Sequence, residues 1–231
     1  MANTIDNSDE AVCGSVAPAT PSSTSRAQCH TEKHAGVSTN CAHWYALRTT
    51  YGREQKAYDY MVAKGATAFL PTITSVRLVD GKRRTIVESR LPNIFFAYGT
   101  EDQLKGFVYD NVNLPFLRFY YRKFTNANGK ADREPMIVPQ RQMNSLMIIC
   151  RAESDDVFVA GEEIRKFRKG QLVRITGGEF TGVVGRVTRF KGQQRVGLYI
   201  DGLLTIATAF VPSKYLEIID EGMPSSQNNN S

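Results

Sequence analysis

Trp44-Tyr45-Ala46-Leu47-Arg48, then Tyr51-Gly52-Arg53-Glu54 three residues on, is the stretch whose reading decides this chain. Aromatic and apolar residues bunched over 44–48 predict a β-strand. Gly52 breaks it, and 53–64 predicts a helix with Ala57, Tyr58, Met61 and Val62 on its buried face and Arg53, Lys56 and Asp59 off it. Gly65 suits the C-terminal cap. Upstream the composition changes abruptly. Residues 1–42 are rich in Ser, Thr, Ala, Asn and Pro, and nearly devoid of large apolar side chains, so they cannot offset the entropy of ordering. They are expected to be a disordered tail. Cys29, His30, His34, Cys41 and His43 sit in or beside it, but their spacings match no common zinc site, so no metal and no cofactor is expected. Cys13, Cys29, Cys41 and Cys150 are too few and too scattered for a disulfide framework and read as reduced thiols.

Downstream, β-branched and apolar residues over 69–79 lead into Asp80-Gly81, a strong hairpin signal, and a return strand over 82–98 is interrupted near Pro92. Leu91-Pro92-Asn93-Ile94-Phe95-Phe96 is apolar enough for a core or for an exposed binding edge. Thr100 and Gln103 have the spacing of a capping box opening a second helix, with Leu104, Phe107 and Val108 on its buried face. A short aromatic strand over 117–123 is followed by a polar loop over 126–133 and an extended piece at Met136-Ile137-Val138. Pro139 then opens a third helix, with Met143, Leu146, Met147 and Cys150 at i, i+3, i+4, i+7. Cys150 therefore reads as packing. Residues 152–165 are acidic and read as a flexible linker with solvated carboxylates, not a catalytic pair. From Phe167 onward short strands alternate with Gly-containing turns, over 172–175, 181–190, 195–200 and 205–211, enough for a small β-barrel.

The fold class is thus α+β. The expected organisation is a tail (1–42), a sheet-and-helix domain (43–151), a linker (152–165), an all-β domain (166–220) and a second tail (221–231). With 231 residues, 42% of them hydrophobic, there is material for a real core. No apolar run approaches the roughly 20 residues of a membrane span, and no secretory signal opens the chain, so a cytoplasmic protein without membrane contact is expected.

Enzyme signatures are missing. There is no Gly-x-Gly-x-x-Gly, no phosphate-binding loop and no Gly-x-Ser-x-Gly elbow, and the three histidines lie in or next to the tail. No acid, base or nucleophile set is assembled, and no enzyme is expected. Charge points elsewhere. Of 29 basic residues only Arg26 and Lys33 fall outside 43–220, against five of the 23 acidic ones, so this part is more basic than the whole-chain charge of +6. A polyanionic partner is favoured. Arg77, Lys82, Arg83, Arg84 and Arg90 cluster around Asp80-Gly81. An arm of this kind can reach phosphate oxygens, although a solvated hairpin tip explains the same charges.

Tyr45-Ala46-Leu47-Arg48 followed by Tyr51-Gly52-Arg53-Glu54 resembles the opening of the NusG N-terminal (NGN) domain. Leu91-Pro92-Asn93-Ile94-Phe95-Phe96 resembles that domain's aromatic-Pro-Gly-Tyr-Val strand, with Leu91 in the aromatic position, Asn93 in the Gly position and Ile94 in the Tyr position. The helix opened by Pro139 matches the family's last helix. Phe167-Arg168-Lys169-Gly170-Gln171-Leu172-Val173-Arg174-Ile175, with Gly178, Phe180, Gly182, Gly185 and Val187, resembles a KOW motif in an SH3-like barrel. Within the family, the Thr-Tyr-Gly-Arg-Glu start is most similar to the UpxY group of specialised antiterminators.

The resemblance implies an antiparallel sheet flanked by helices, plus the barrel. It implies a monomeric elongation and antitermination factor that binds the clamp helices of RNA polymerase through its first domain and suppresses pausing or termination. The operons served would be specific ones, such as capsular polysaccharide loci. Tyr51, Leu91, Ile94 and Phe96 would contact polymerase, Arg77, Lys82, Arg83, Arg84 and Arg90 would contact DNA without sequence specificity, and the barrel would meet a second protein. The alternative is a KOW-type ribosome- or RNA-binding protein without polymerase contact.

Overall fold

The strand expected at 44–48 is β1 (His43–Thr49), with Trp44, Tyr45, Ala46, Leu47 and Thr49 buried and Arg48 exposed. The structure, a computed structural model, describes residues 41–126, 128–152, 156–160, 170–190, 192–200 and 202–219. The chain divides into Met1–Val37 and Ser38–Ser231, and every described residue lies in the second unit. The expected tails fall outside the described residues, apart from 41 and 42, as does most of the expected linker.

The first sheet has the order β2-β5-β1-β6, with β2 (Thr67–Phe69), β5 (Ile94–Gly99) and β6 (Leu117–Phe119) all antiparallel to their neighbours. The short β9 (Ile137–Val138) pairs with the start of β1 on the same side as β6. Period-two alternation sends Tyr45, Leu47, Phe95 and Ala97 to one face. There they meet Ala57 and Met61 of α1 (Glu54–Ala63) and Leu104 and Val108 of α2 (Glu101–Val108). Trp44, Ala46, Leu91 and Phe96 go into a second cluster with Met143, Leu146, Ile149 and Cys150 of α3 (Gln140–Arg151).

Local signals are realised closely. Gly65, at φ +83, ends α1 with two backbone bonds that close its last turn, Gly65 N–H to Val62 O and Ala66 N–H to Met61 O. Both halves of the Thr100–Gln103 capping box are formed. Pro139 stands one residue before α3. Val62, expected on the buried face of α1, is exposed: the helix buries Ala57 and Met61 and packs Tyr58 partly against the same cluster, and Val62 falls outside that face.

Two hairpins leave this sheet. Asp80 and Gly81 (φ +53 and +72) join β3 (Thr72–Val79) to β4 (Lys82–Ser89) as a two-stranded ribbon. The second replaces the polar loop expected over 126–133. β7 (Tyr121–Thr125) pairs with β8 (Ala131–Pro135), and their turn is closed by Asn126, whose Oδ1 accepts from the N–H groups of Asn128 and Lys130.

The second sheet is six-stranded and antiparallel, in the order β10-β14-β13-β12-β11-β15. Its strands are β10 (Phe158–Ala160), β11 (Leu172–Ile175), β12 (Val184–Phe190), β13 (Gln193–Ile200), β14 (Leu204–Ala207) and β15 (Leu216–Ile218). β10 comes from the expected linker and pairs with β14. Next to it Asp156 accepts from the guanidinium of Arg195, which is only 3% exposed and is also bonded to the carbonyls of Asp156 and Thr208. A buried cation needs such a partner. No helix among the described residues is long and apolar enough to cross a membrane.

Candidate functional site

At the end of β1 the backbone turns through two left-handed residues, Tyr51 (φ +61) and Gly52 (φ +63). Opposite them, between Pro92 and Ile94, Asn93 is also left-handed (φ +64). The two bends are tied together. The Gly52 N–H donates to Asn93 Oδ1 at 2.8 Å, and the Thr49 N–H donates to the Asn93 carbonyl at 2.9 Å. Left-handed backbone is costly for residues with a Cβ, by about 1–2 kcal/mol each. The Tyr51 ring stands out in solvent, 88% exposed. The Arg53 guanidinium lies 5.8 Å from that ring and 5.1 Å from the ring of buried Phe116, and Lys56 approaches Phe116 from nearby. Tyr51 is thus an exposed aromatic ring beside a cation, a type of group that anchors protein interfaces.

Leu91 and Phe96 are not part of an exposed edge. They are 3% and 0% exposed, and both belong to the core cluster shared with α3 and with Val173, Ile175, Val196 and Leu198 of the second sheet. Ile94 is half-buried and packs on the same cluster. The expectation of an outward apolar edge is therefore corrected: an apolar strand residue looks the same in sequence whether its own chain or a partner covers it.

On the β3–β4 ribbon Arg77, Lys82, Arg83 and Arg84 are exposed. Arg77 sits directly opposite Arg84 and reaches along the ribbon to Glu88, at 2.7 Å. Exposed pairs of that sort contribute roughly 0–1 kcal/mol. The other face of the ribbon shows Val76, Leu78 and Val87 to solvent. Arg90 does not belong to the arm. It lies at the root, only partly exposed, with Nη2 3.5 Å from the Ala152 carbonyl at the end of α3.

Gly178, Phe180, Gly182, Gly185 and Val187 gather around the turn from β11 to β12. Phe180 is buried, and Val187 packs on the shared core. Gly185 has no room for a side chain: a Cβ there would stand 2.5 Å from the Gly197 carbonyl of β13. At Gly182, already left-handed at φ +92, a Cβ would press on Ile148 of α3 at 3.3 Å. These residues build the sheet and its seat on the helix.

That seat uses polar groups the sequence did not single out. Ser145, buried on α3, accepts from the Val184 N–H at 3.0 Å and donates to the Arg141 carbonyl at 3.1 Å. Gln142 donates to the Tyr199 carbonyl at 3.3 Å. A polar residue interrupting a helix's apolar stripe was the available signal. The second hairpin is the other omission, anchored at its root by the hydroxyls of Tyr109 and Tyr121, which are hydrogen-bonded to each other. Burial, with that bond next in importance, pushes the Tyr121 phenol up to about 12, so it stays protonated.

Residues 42–147 match the family model described as NusG, transcription termination factor nusG. No curated protein matches the chain. The matched stretch holds the whole first sheet, both hairpins, α1, α2 and most of α3, and it is NusG-like; the second sheet lies outside it.

Proposed function

We propose that the chain is a transcription elongation and antitermination factor of the specialised UpxY type. It binds the clamp helices of RNA polymerase through its N-terminal half, and lowers pausing or termination at particular operons such as capsular polysaccharide loci. The observation that carries this is the family match over 42–147, which covers the strained turn presenting Tyr51. Tyr51 is the accessible anchor of the polymerase contact, with Ile94 at its margin. Leu91 and Phe96 support that surface from within.

Arg77, Lys82, Arg83 and Arg84 then lie along DNA in the elongation complex and contact phosphates without reading bases. The second half, with its Gly178–Val187 turn, is the KOW-type module and meets a further protein partner. A ribosome- or RNA-binding module would not need the NusG-like first half. Co-purification separates the two readings: the full chain is expected with core RNA polymerase, and recovery with ribosomes alone contradicts the proposal. In a purified elongation reaction the chain is expected to shorten pauses, and unchanged pausing and termination would count against it.

A further inference from the structure

We infer that the hollow between the root of the first hairpin and the end of α3 is a binding site for a small organic anion, a carboxylate or phosphate carried on an apolar body. The hollow holds about 610 Å³, within the range of ordinary small-molecule sites. The chain running from β2 into β3 lines it with the apolar side chains of Phe69 and Ile73 and the hydroxyl residues Thr72 and Thr74. Arg90, just past β4, and Arg151, the last residue of α3, supply its charge. The site is separate from Tyr51 and from the exposed arm of the ribbon, and it does not rest on the polymerase reading.

Two cations converge here with no anion from the fold to hold them. Neither Arg90 nor Arg151 makes an ion pair among the described residues. The described residues lining the hollow include no carboxylate. Glu88, opposite Ile73 on the ribbon, is taken by Arg77. Cys150 also lines the hollow, but burial holds its thiol neutral, so it offers no competing anion.

Arg90 carries the argument. It is half-buried, and its Nε is fully buried with no hydrogen-bond partner among the described residues. Its contact with the Ala152 carbonyl runs from Nη2 at 3.5 Å, a long bond on a group that has several further donors. A buried N–H of a charged group left unbonded is costly. The planar fork of a guanidinium matches the paired oxygens of a carboxylate or phosphate. An anion in the hollow satisfies both arginines, while Phe69 and Ile73 receive an apolar body that a bare inorganic ion lacks. A polyanion backbone needs a row of exposed cations, and this hollow has two. Because the lining comes from both the ribbon and α3, a bound molecule ties the hairpin's root to the helix.

The test is fluorescence titration of the full chain with anilinonaphthalene sulfonate, an aromatic body bearing one anionic group. Saturable binding of one molecule per chain is expected. Naphthoate and naphthyl phosphate should both displace it, and the tighter of the two identifies the preferred anionic group. Neutral naphthalenemethanol should displace it far more weakly. Arg151→Ala removes an exposed side chain, and Thr74→Trp places a large ring in the hollow without changing its charge. Each is expected to weaken binding at least roughly tenfold at an unchanged melting temperature. Arg90→Lys, which keeps the charge and loses the fork, should weaken it too. No saturable binding by the native chain, unchanged affinity in both Arg151→Ala and Thr74→Trp, or equal displacement by naphthalenemethanol overturns the inference. Displacement by a mixed-sequence DNA duplex as effective as that by naphthyl phosphate overturns the assignment to a small ligand.

Discussion

Asn93 does two things at once: it accepts a left-handed backbone, and its side-chain oxygen fixes the Gly52 N–H below Tyr51. Asn93→Ala removes the acceptor and puts a less tolerant residue at φ +64. A loss of about 1–2 kcal/mol is expected in denaturant unfolding, while Asn93→Gly, which restores the conformational freedom, should lose less. A cost in Asn93→Gly equal to that in Asn93→Ala would show that the hydrogen bond, not the backbone, is what matters. Cys150 offers a different check. Burial among α3 and its neighbours pushes its thiol up to about 12. It should resist alkylation in the native protein at about pH 8 and react once the chain unfolds, read by mass spectrometry at that residue. The same displacement has a sign for stability: the neutral thiol is favoured in the fold, so this contribution is intact below about 9 and declines as pH rises from there toward about 12.

At the scale of elements, Ser145 is the joint between α3 and the second sheet. Ser145→Ala leaves the Val184 N–H without its acceptor, and roughly 1–3 kcal/mol of stability should be lost. Hydrogen exchange at Val184 should accelerate; unchanged protection there would mean the helix does not hold that strand. For the first hairpin, neutralising Lys82, Arg83 and Arg84 together should weaken the effect on elongation and flatten its salt dependence, while leaving binding to isolated clamp helices intact. Loss of clamp-helix binding instead would mean the protein-binding and DNA-binding surfaces are reversed. Elements with a local chemical signature were readable in the sequence: the Asp80-Gly81 turn, the Thr100 cap, and Pro139 before α3. Elements defined by their partners were not. The single strand expected over 117–123 divides at Tyr120 into Leu117–Phe119 and Tyr121–Thr125, and the latter's partner Ala131–Pro135, which carries charges on both faces and so shows no apolar alternation, was not readable. Phe158–Ala160 is three residues long and exists as a strand only by pairing with Leu204–Ala207.

For the whole molecule, the sequence indicated an α+β chain with a second, all-β part, and the structure has both. It could not indicate that the two parts share one apolar cluster, because burial between distant segments leaves no spacing to read. Leu91 is the clearest case. It stands in that cluster, and burying such a side chain is worth roughly 1.5–3 kcal/mol. Leu91→Asp is therefore expected to lower the melting temperature sharply, and a variant that melts normally would place Leu91 on the surface after all. Tyr51, by contrast, is free of the core, so its truncation isolates the interface from the fold. The most direct measurement is binding of the full chain to core RNA polymerase, with the native sequence and with Tyr51→Ala side by side. The account predicts that the native chain binds and that Tyr51→Ala binds at least roughly tenfold more weakly at an unchanged melting temperature. No binding by the native chain, or equal binding by both, would contradict it.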